Sequence, residues 1–291
     1  MWAFYALLSA FFAASIDPVA KIALRKSDAY LVGWFGLLFS LPVLAVFFFI
    51  SGIPAFSPGL FRIIAIAMPF EVLAIVFYYK ALKAADISIT VPFLALTPIV
   101  SALIAYFLLG EVLSRQGIAG VVLICIGVYS LNIKEAKYSL LHPLIAIFTN
   151  KGSLYMAFVG ILFGIGSTLS KMAMLRLNPE TIAFVYMSCV TICLFPIVLY
   201  RLKKGLSKLD RGPKTYVFYA LIGIFFALAC FTYFKSVSMT NVAYTISIKR
   251  LSLLISVGYG WLIFKEREFK IRFLSTLCMC LGIALIMLAA K

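Results

Sequence analysis

A lysine and an arginine stand side by side within an otherwise apolar stretch of the sequence, at Lys249 and Arg250. Lysine supplies a point charge, and arginine supplies a planar fork that binds a carboxylate or phosphate through two hydrogen bonds. The pair therefore predicts a binding site for an anion. A structural interpretation stays open, in which the two cations pair with Glu71 and with backbone carbonyl groups.

Two acidic residues, Glu71 and Asp17, also fall inside apolar stretches. Glu71 has three interpretations: it carries a proton, it holds a substrate ammonium group, or it is the buried counter-ion of the Lys249–Arg250 pair. Asp17 precedes Pro18, which weakens a helix locally, and stands one helical turn before Lys21. We expect Asp17 either to face a cavity or to pair with Lys21.

Tyrosines and lysines on the same stretches are further candidates. Tyr78 and Tyr244 are predicted to orient a substrate through their hydroxyl groups, with simple packing as the open alternative. Lys80 and Lys235 lie near the ends of their stretches. They either extend their charged ends towards water or act as gates that close a cavity.

The composition says what kind of protein carries these charges. Of 291 residues, 64% are hydrophobic and 12% are charged, whereas soluble domains carry roughly 25% charged residues. This predicts an integral membrane protein and excludes a soluble enzyme. An ionisable group near the bilayer centre costs about 2.5–3.5 kcal/mol on insertion scales, so the buried charges indicate a function.

The net charge of +16 does not indicate nucleic-acid binding, because the basic residues stand mainly between apolar runs. There they are expected to face an anionic membrane surface. The six cysteines fall inside apolar stretches and the one histidine, His142, lies in a predicted loop. We therefore expect neither a metal site nor a cofactor.

The apolar runs divide into ten segments near the length that a spanning helix needs. Gly, Pro or charged clusters separate them, and the longest polar stretches are too short to form a domain. The predicted fold is an all-α integral membrane protein with ten transmembrane helices, at approximately 2–20, 30–50, 62–82, 87–109, 117–133, 153–175, 180–200, 214–236, 240–264 and 271–290.

The chain also repeats itself. Phe70–Ile133 aligns without a gap on Phe225–Leu288, and the alignment pairs Lys80 with Lys235 and Glu111 with Glu266. It predicts two five-helix repeats, 1–133 and 153–291, joined by a loop at 134–152. Five is an odd number, so the second repeat must cross the membrane with inverted polarity, an arrangement found in many secondary transporters.

Two expectations concern the ends of these helices. Glu111 and Glu266 begin the short loops before the last helix of each repeat, and each is expected to cap that helix and bind a nearby Arg115 or Arg267. Basic residues predominate in the loops after the first, third, fifth, seventh and ninth segments. These loops are expected in the cytoplasm and both termini outside, in an inner membrane.

Each repeat closes with a Tyr-Lys pattern, a polar turn, a long apolar helix, an acidic residue and a glycine-containing helix. In the first repeat the sequence reads ALKAADISITVPFLALTPIVSALIAYFLLGE. The pattern resembles the EamA-type permeases of the drug/metabolite transporter superfamily. The resemblance implies ten helices in two inverted repeats and transport of amino acids or other small metabolites. The second repeat departs from the first where Leu253 replaces Pro98 and Lys265 replaces Gly110, which predicts unequal bending of the two gates.

These observations predict a secondary transporter for a small polar metabolite with an anionic group, such as an amino or organic acid. Its partners would be the lipid bilayer, the small-molecule substrate and either a coupling proton or a counter-substrate. Two alternatives stay open: exchange of sugar phosphates for phosphate, and efflux of drugs or other cations. A membrane enzyme is disfavoured because convergent acids, histidines and a metal site are missing from the pattern.

Overall fold

The structure of the protein is a computed structural model. It describes residues 1–51, 58–97, 99–100, 103–104, 114–133, 145, 148–174, 178–210, 212–239, 245 and 248–289. These residues form ten α-helices and one short 3₁₀-helix, without strands. A helix satisfies every backbone hydrogen bond within one segment, which a lipid environment requires.

The helices follow one another along the chain with short connections. They are α1 (Trp2–Ala23), α2 (Ala29–Ser51), α3 (Pro58–Ala84), α4 (Ile87–Thr90), a 3₁₀-helix (Val91–Leu96), α5 (Arg115–Leu131), α6 (Lys151–Met174), α7 (Pro179–Lys203), α8 (Pro213–Met239), α9 (Ser252–Phe264) and α10 (Phe269–Ala289).

Each of the ten predicted segments overlaps one of these α-helices. Six stretches of helix are long and apolar enough to cross a membrane: Trp2–Ala23, Ala29–Ile50, Gly59–Ala84, Glu180–Lys203, Pro213–Ser236 and Phe269–Ile286. The other apolar helices are shorter within the described residues. Large apolar side chains such as Phe49 and Ile50 stay exposed on the bundle, as expected of a surface that faces lipid. The protein is a multi-pass membrane protein.

Two of the predicted spans are not regular α-helices throughout. The fourth changes from α-helix to 3₁₀-helix at Val91–Leu96. The ninth has a turn at Arg250 and Leu251, where the N–H of Leu253 donates to the carbonyl of Arg250 at 3.0 Å. The alignment of the two repeats places this turn opposite the 3₁₀-helix. Both repeats therefore interrupt the same helix at the same place, although Leu253 replaces Pro98, which lies outside the described residues.

The contacts define two ends of the bundle, here called the Glu266 end and the Trp2 end. At the Glu266 end, where α1 ends, Lys83 on the last turn of α3 donates to the carbonyl of Ser27 at 2.9 Å. At the Trp2 end, where α1 begins, Ser236 on the last turn of α8 donates to the carbonyl of Trp2 at 3.0 Å. The carboxyl ends of α3 and α8 therefore lie at opposite ends of the bundle.

The last helices of the two repeats, α5 and α10, cross at a pair of glycines. A Cβ atom on Gly120 would stand 2.5 Å from the carbonyl oxygen of Gly282, and one on Gly282 would stand 2.5 Å from the carbonyl oxygen of Gly120. Small residues at such crossings let helix backbones approach closely in membranes. The two helices form one side of the bundle, which packs against α9, α4 and the 3₁₀-helix.

Candidate functional site

The two adjacent cations lie at the interruption before α9. Lys249 stands over the ring of Tyr233, with its Nζ 4.1 Å from the ring centroid. The Nε atom of Arg250 is buried and has no hydrogen-bond partner within the described part of the chain. The carbonyl of Arg250 accepts from the Cys280 thiol at 3.6 Å. A buried guanidinium nitrogen without a partner is a group that an anion would satisfy.

Glu71 lies on α3 and faces α6 and α7. The hydroxyl of Tyr186 on α7 donates to its Oε1 at 3.0 Å. A Cβ atom on Gly166 of α6 would come within 2.7 Å of the same oxygen, so the glycine leaves room for the carboxylate. A side chain at this position would therefore crowd the Glu71 carboxylate.

The anion site and the acid are near neighbours without direct contact. Glu71 and Lys249 are close enough to interact electrostatically. None of the described lysine or arginine side chains lies within 4.0 Å of the Glu71 carboxylate. Glu71 therefore acts on Lys249 only over a distance, and its direct partner is the hydroxyl of Tyr186.

Asp17 lies on α1 and is 1% exposed. The hydroxyl of Tyr78 on α3 donates to one carboxylate oxygen, and that of Ser256 on α9 donates to the other at 2.5 Å. The expected alternative, an ion pair with Lys21, is not formed. Lys21 reaches instead to the carbonyl of Ala85 at 2.8 Å and to the carboxylates described below.

The remaining predicted residues lie at the ends of the bundle or outside the described residues. Lys80 stands over the rings of Tyr30 and Phe77, 4.9 Å from each centroid. Lys235 binds Glu180 at 3.1 Å, at the Trp2 end. Tyr244 and Glu111 lie outside the described residues.

Glu266 does not have the role expected from the sequence. It caps α4 across the bundle, not α10: its carboxylate accepts from the N–H groups of Ile87 and Ser88 at 2.9 Å each. It also lies 3.4 Å from Lys21 and 3.8 Å from Arg272. The orphan N–H groups at a helix start attract a carboxylate, and the start of α4 offers such groups within reach. The expected tie to Arg267 is replaced by these contacts.

We call this cluster the Glu266 network; its members are Lys21, Asp86, Ser88, Glu266 and Arg272. Arg272 binds Asp86 at 3.0 Å and the Ser88 hydroxyl at 2.6 Å. The first three members belong to the first repeat and the last two to the second. The network therefore joins the two repeats at one end of the bundle.

Sequence reasoning missed three kinds of partner. Tyr186, which binds Glu71, had no distinguishing signal among the many aromatic residues. Ser256 did have one, because the alignment of the repeats pairs it with an identical residue, Ser101. Asp86 and Arg272 stand beside predicted turns, where charged residues are common and do not indicate a specific contact.

Comparisons with known proteins bear on the fold and the family. A search of solved structures finds 16 significantly similar chains. One of them, titled only as the crystal structure of a protein, is 14% identical with a TM-score of 0.69, over 100% of this chain and 99% of its own. Among curated proteins, none matches significantly. The model of the EamA-like transporter family matches residues 1–133 and 150–288. The chain belongs to this family, within the drug/metabolite transporter superfamily.

Proposed function

We propose that this protein is a secondary transporter that moves a small metabolite with an anionic group, such as an amino or organic acid, across an inner membrane. Lys249 and Arg250 bind the anionic group, and Glu71 balances their charge from α3. The two repeats rock against each other, so that the site opens to one side of the membrane at a time.

The observation that carries this proposal is the buried Arg250 Nε without a partner, beside a second cation at a break in a membrane helix. Transporters commonly build substrate sites from discontinuous helices, because the break frees backbone and side-chain groups near the bilayer centre. Tyr233 and the neighbouring Glu71 moderate the two positive charges without occupying the Arg250 nitrogen. An anion is the ligand that this arrangement favours.

The contacts at the two ends of the bundle support inverted repeats. Lys80 and Lys235 are aligned by the repeat, yet the helix of Lys80 ends at the Glu266 end and that of Lys235 at the Trp2 end. The 3₁₀-helix and the Arg250 turn occupy equivalent positions in the two repeats. Two equivalent breaks in oppositely directed helices provide one flexible element for each side of the membrane.

The test is thermal unfolding of the detergent-purified protein against amino acids, organic acids, sugar phosphates and organic cations. A ligand that binds only the folded state adds about 2.7 kcal/mol at one hundred times its dissociation constant. We expect one class of anion to stabilise the wild type and to lose its effect in Lys249→Ala/Arg250→Ala. Arg250→Lys tests the two-pronged geometry, because lysine keeps the charge and loses the fork.

The matched control is Lys203→Ala/Lys204→Ala, which removes an adjacent pair of cations at an exposed helix end. It should leave the ligand effect unchanged. Stabilisation by sugar phosphates would assign phosphate exchange to the same cations. Stabilisation by organic cations, or by anions equally in the double variant, would overturn the anion site.

A further inference from the structure

The carboxylate of Asp17 has no role in the anion site, although it is buried between the two repeats. It is 1% exposed, and none of the described lysines or arginines lies within 4.0 Å of it. An ionised carboxylate in such a place is unfavourable unless donors compensate its charge. Its two donors are the hydroxyls of Tyr78 and Ser256.

Both donors suit a group that changes its protonation state. A hydroxyl donates to a carboxylate, and it accepts from a carboxylic acid by rotating its own hydrogen. A lysine or arginine partner would fix Asp17 in its ionised form, whereas Tyr78 and Ser256 accommodate both forms.

The surroundings of Asp17 contain few other groups that titrate. On its own helix, Lys21 lies one turn further on; it attracts the carboxylate electrostatically but makes its direct contacts within the Glu266 network. The helix α8 packs against α1 where Ser9 donates to the carbonyl of Ala229, and none of its described side chains bonds to Asp17. From α3, Tyr78 contacts the carboxylate and Tyr79 is near enough to interact electrostatically. From α9, Ser256 contacts it, and Tyr259 bonds to Ser15 at 3.2 Å rather than to Asp17.

Asp17 also joins the two repeats. Its own helix and α3 belong to the first repeat, and α9 belongs to the second. The ionised carboxylate binds both hydroxyls by charge-assisted bonds, which are roughly twice as strong as neutral ones. Protonation removes the charge and weakens the link between α1 and α9, close to the Glu266 network that closes the same end.

We propose that Asp17 is the binding site of a coupling proton, held between Tyr78 and Ser256, and that its protonation loosens the two repeats at the Glu266 end. The proton enters from water on one side, forms the O–H bond of the carboxylic acid, and returns to water on the other side after the repeats have rocked. The coupling role rests on the proposed transport function. The proton site itself does not, because Asp17 binds a proton without any substrate.

The first experiment is an infrared titration of the protein in lipid vesicles, without substrate, from about pH 4 to about pH 9. A protonated carboxyl group has its own carbonyl stretching band. We expect a band that appears as the pH falls in Glu71→Gln, which keeps Asp17, and that is absent from the double variant Asp17→Asn/Glu71→Gln. Ser256→Ala and Tyr78→Phe each remove one donor to the ionised form, so the band should persist to higher pH in both.

A band that is equally strong in Glu71→Gln and in Asp17→Asn/Glu71→Gln, or one that does not change with pH, would overturn the proton site. A band whose position depends on sodium concentration rather than on pH would also overturn it, in favour of a cation site. The Ser256→Ala and Tyr78→Phe variants keep the carboxylate, so they decide the question if Asp17→Asn fails to fold.

The second experiment measures proton movement with a pH-sensitive dye inside proteoliposomes. The probe is the acid that stabilises the wild type but not Lys249→Ala/Arg250→Ala. We expect addition of this acid to change the internal pH in the wild type, and the change to disappear in Asp17→Asn while tracer counterflow continues. If no acid stabilises the protein, the transport proposal fails, and the infrared titration still decides the proton site. Proton movement that is equal in Asp17→Asn and the wild type would contradict the coupling.

Discussion

The two ends of the bundle are held together by different kinds of contact. At the Glu266 end, five polar side chains from both repeats form a continuous network, and the carboxylate at its centre is 4% exposed. At the Trp2 end, Lys235 and Glu180 form a pair within the second repeat, and the lysine side chain is 35% exposed. Ser236 there contributes hydroxyl bonds to Thr245 at 2.8 Å and to the carbonyl of Trp2 at 3.0 Å.

The two ends differ in whether ion pairs connect the first repeat to the second. The Glu266 network connects Lys21 and Asp86 to Arg272, whereas the described ion pair at the Trp2 end crosses no boundary between repeats. A buried ion pair is costly to break, because it leaves a charge without a partner, and an exposed pair is not. We therefore expect the repeats to resist separation more strongly at the Glu266 end than at the Trp2 end.

Glu266→Ala should produce the largest loss of stability. The substitution leaves Lys21 and Arg272 short of a buried partner and uncovers the N–H groups of Ile87 and Ser88. Removing one member of a buried ion pair costs about 3–5 kcal/mol. The measurement is the free energy of unfolding in detergent, compared with Glu180→Ala at the other end. Equal losses in the two variants would show that the two ends are equally strong.

Gly260→Ala should weaken the same network by crowding it. A Cβ atom at this position would stand 2.9 Å from the carboxyl carbon of Glu266, whose bonds to α4 prevent it from moving aside. Overpacking of this kind costs about 1–3 kcal/mol. Gly258→Ala is the matched control on the same helix, because a Cβ there meets none of the described atoms within 4 Å.

The control variant should be neutral or gain about 0.5–1 kcal/mol from the better helix propensity of alanine. Thermal unfolding of the two variants in parallel measures the difference. If Gly260→Ala were as stable as Gly258→Ala, the Glu266 carboxylate would be free to move. The network would then not hold the carboxylate in a fixed position.

The all-helical fold could be predicted from the sequence, because a chain that crosses lipid must satisfy its backbone hydrogen bonds within each segment. Apolar runs of spanning length form helices, and the ten predicted segments each overlap an α-helix. The change to a 3₁₀-helix has a local signal, because Pro92 within Val91–Leu96 lacks the N–H that a regular helix needs. The turn at Leu251 has no such signal, since leucine suits a regular helix. Local propensity therefore does not explain the turn at Leu251.

The charged residues of the candidate site could be found from sequence, but their partners could not. Lys249, Arg250 and Glu71 stand out because charges in apolar runs are rare. Their surroundings are set by which helices pack together, and a single chain contains no direct record of that packing. Glu266 illustrates the point, because its nearest helix in sequence is α10 and the helix that it caps is α4.

Lys235→Ala should have a smaller effect on stability than either change at the Glu266 end. Its partner Glu180 lies 3.1 Å away, and the lysine side chain is partly exposed, so water and salt screen the pair. Such pairs contribute about 0.2–1 kcal/mol. Unfolding measured at low and high salt should show that the difference from the wild type decreases as salt is added. A loss as large as that of Glu266→Ala would contradict the weaker attachment of the Trp2 end.

The smallest effect on stability is expected from removing a hydrogen bond to Asp210, which lies in the loop that leads into α8. The hydroxyl of Thr215 donates to its Oδ2 at 2.6 Å and the N–H of Gly212 donates to its Oδ1 at 3.0 Å, and these bonds hold the pKa of Asp210 below its ordinary value. Because the folded state lowers this pKa, the carboxylate stabilises the protein near neutral pH, and the contribution disappears as acid protonates it. Thr215→Val removes the stronger bond, so its unfolding temperature should lie slightly below that of the wild type at about pH 7 and converge with it towards about pH 3. A difference that stays constant over this range would mean that the threonine acts through packing and not through the carboxylate.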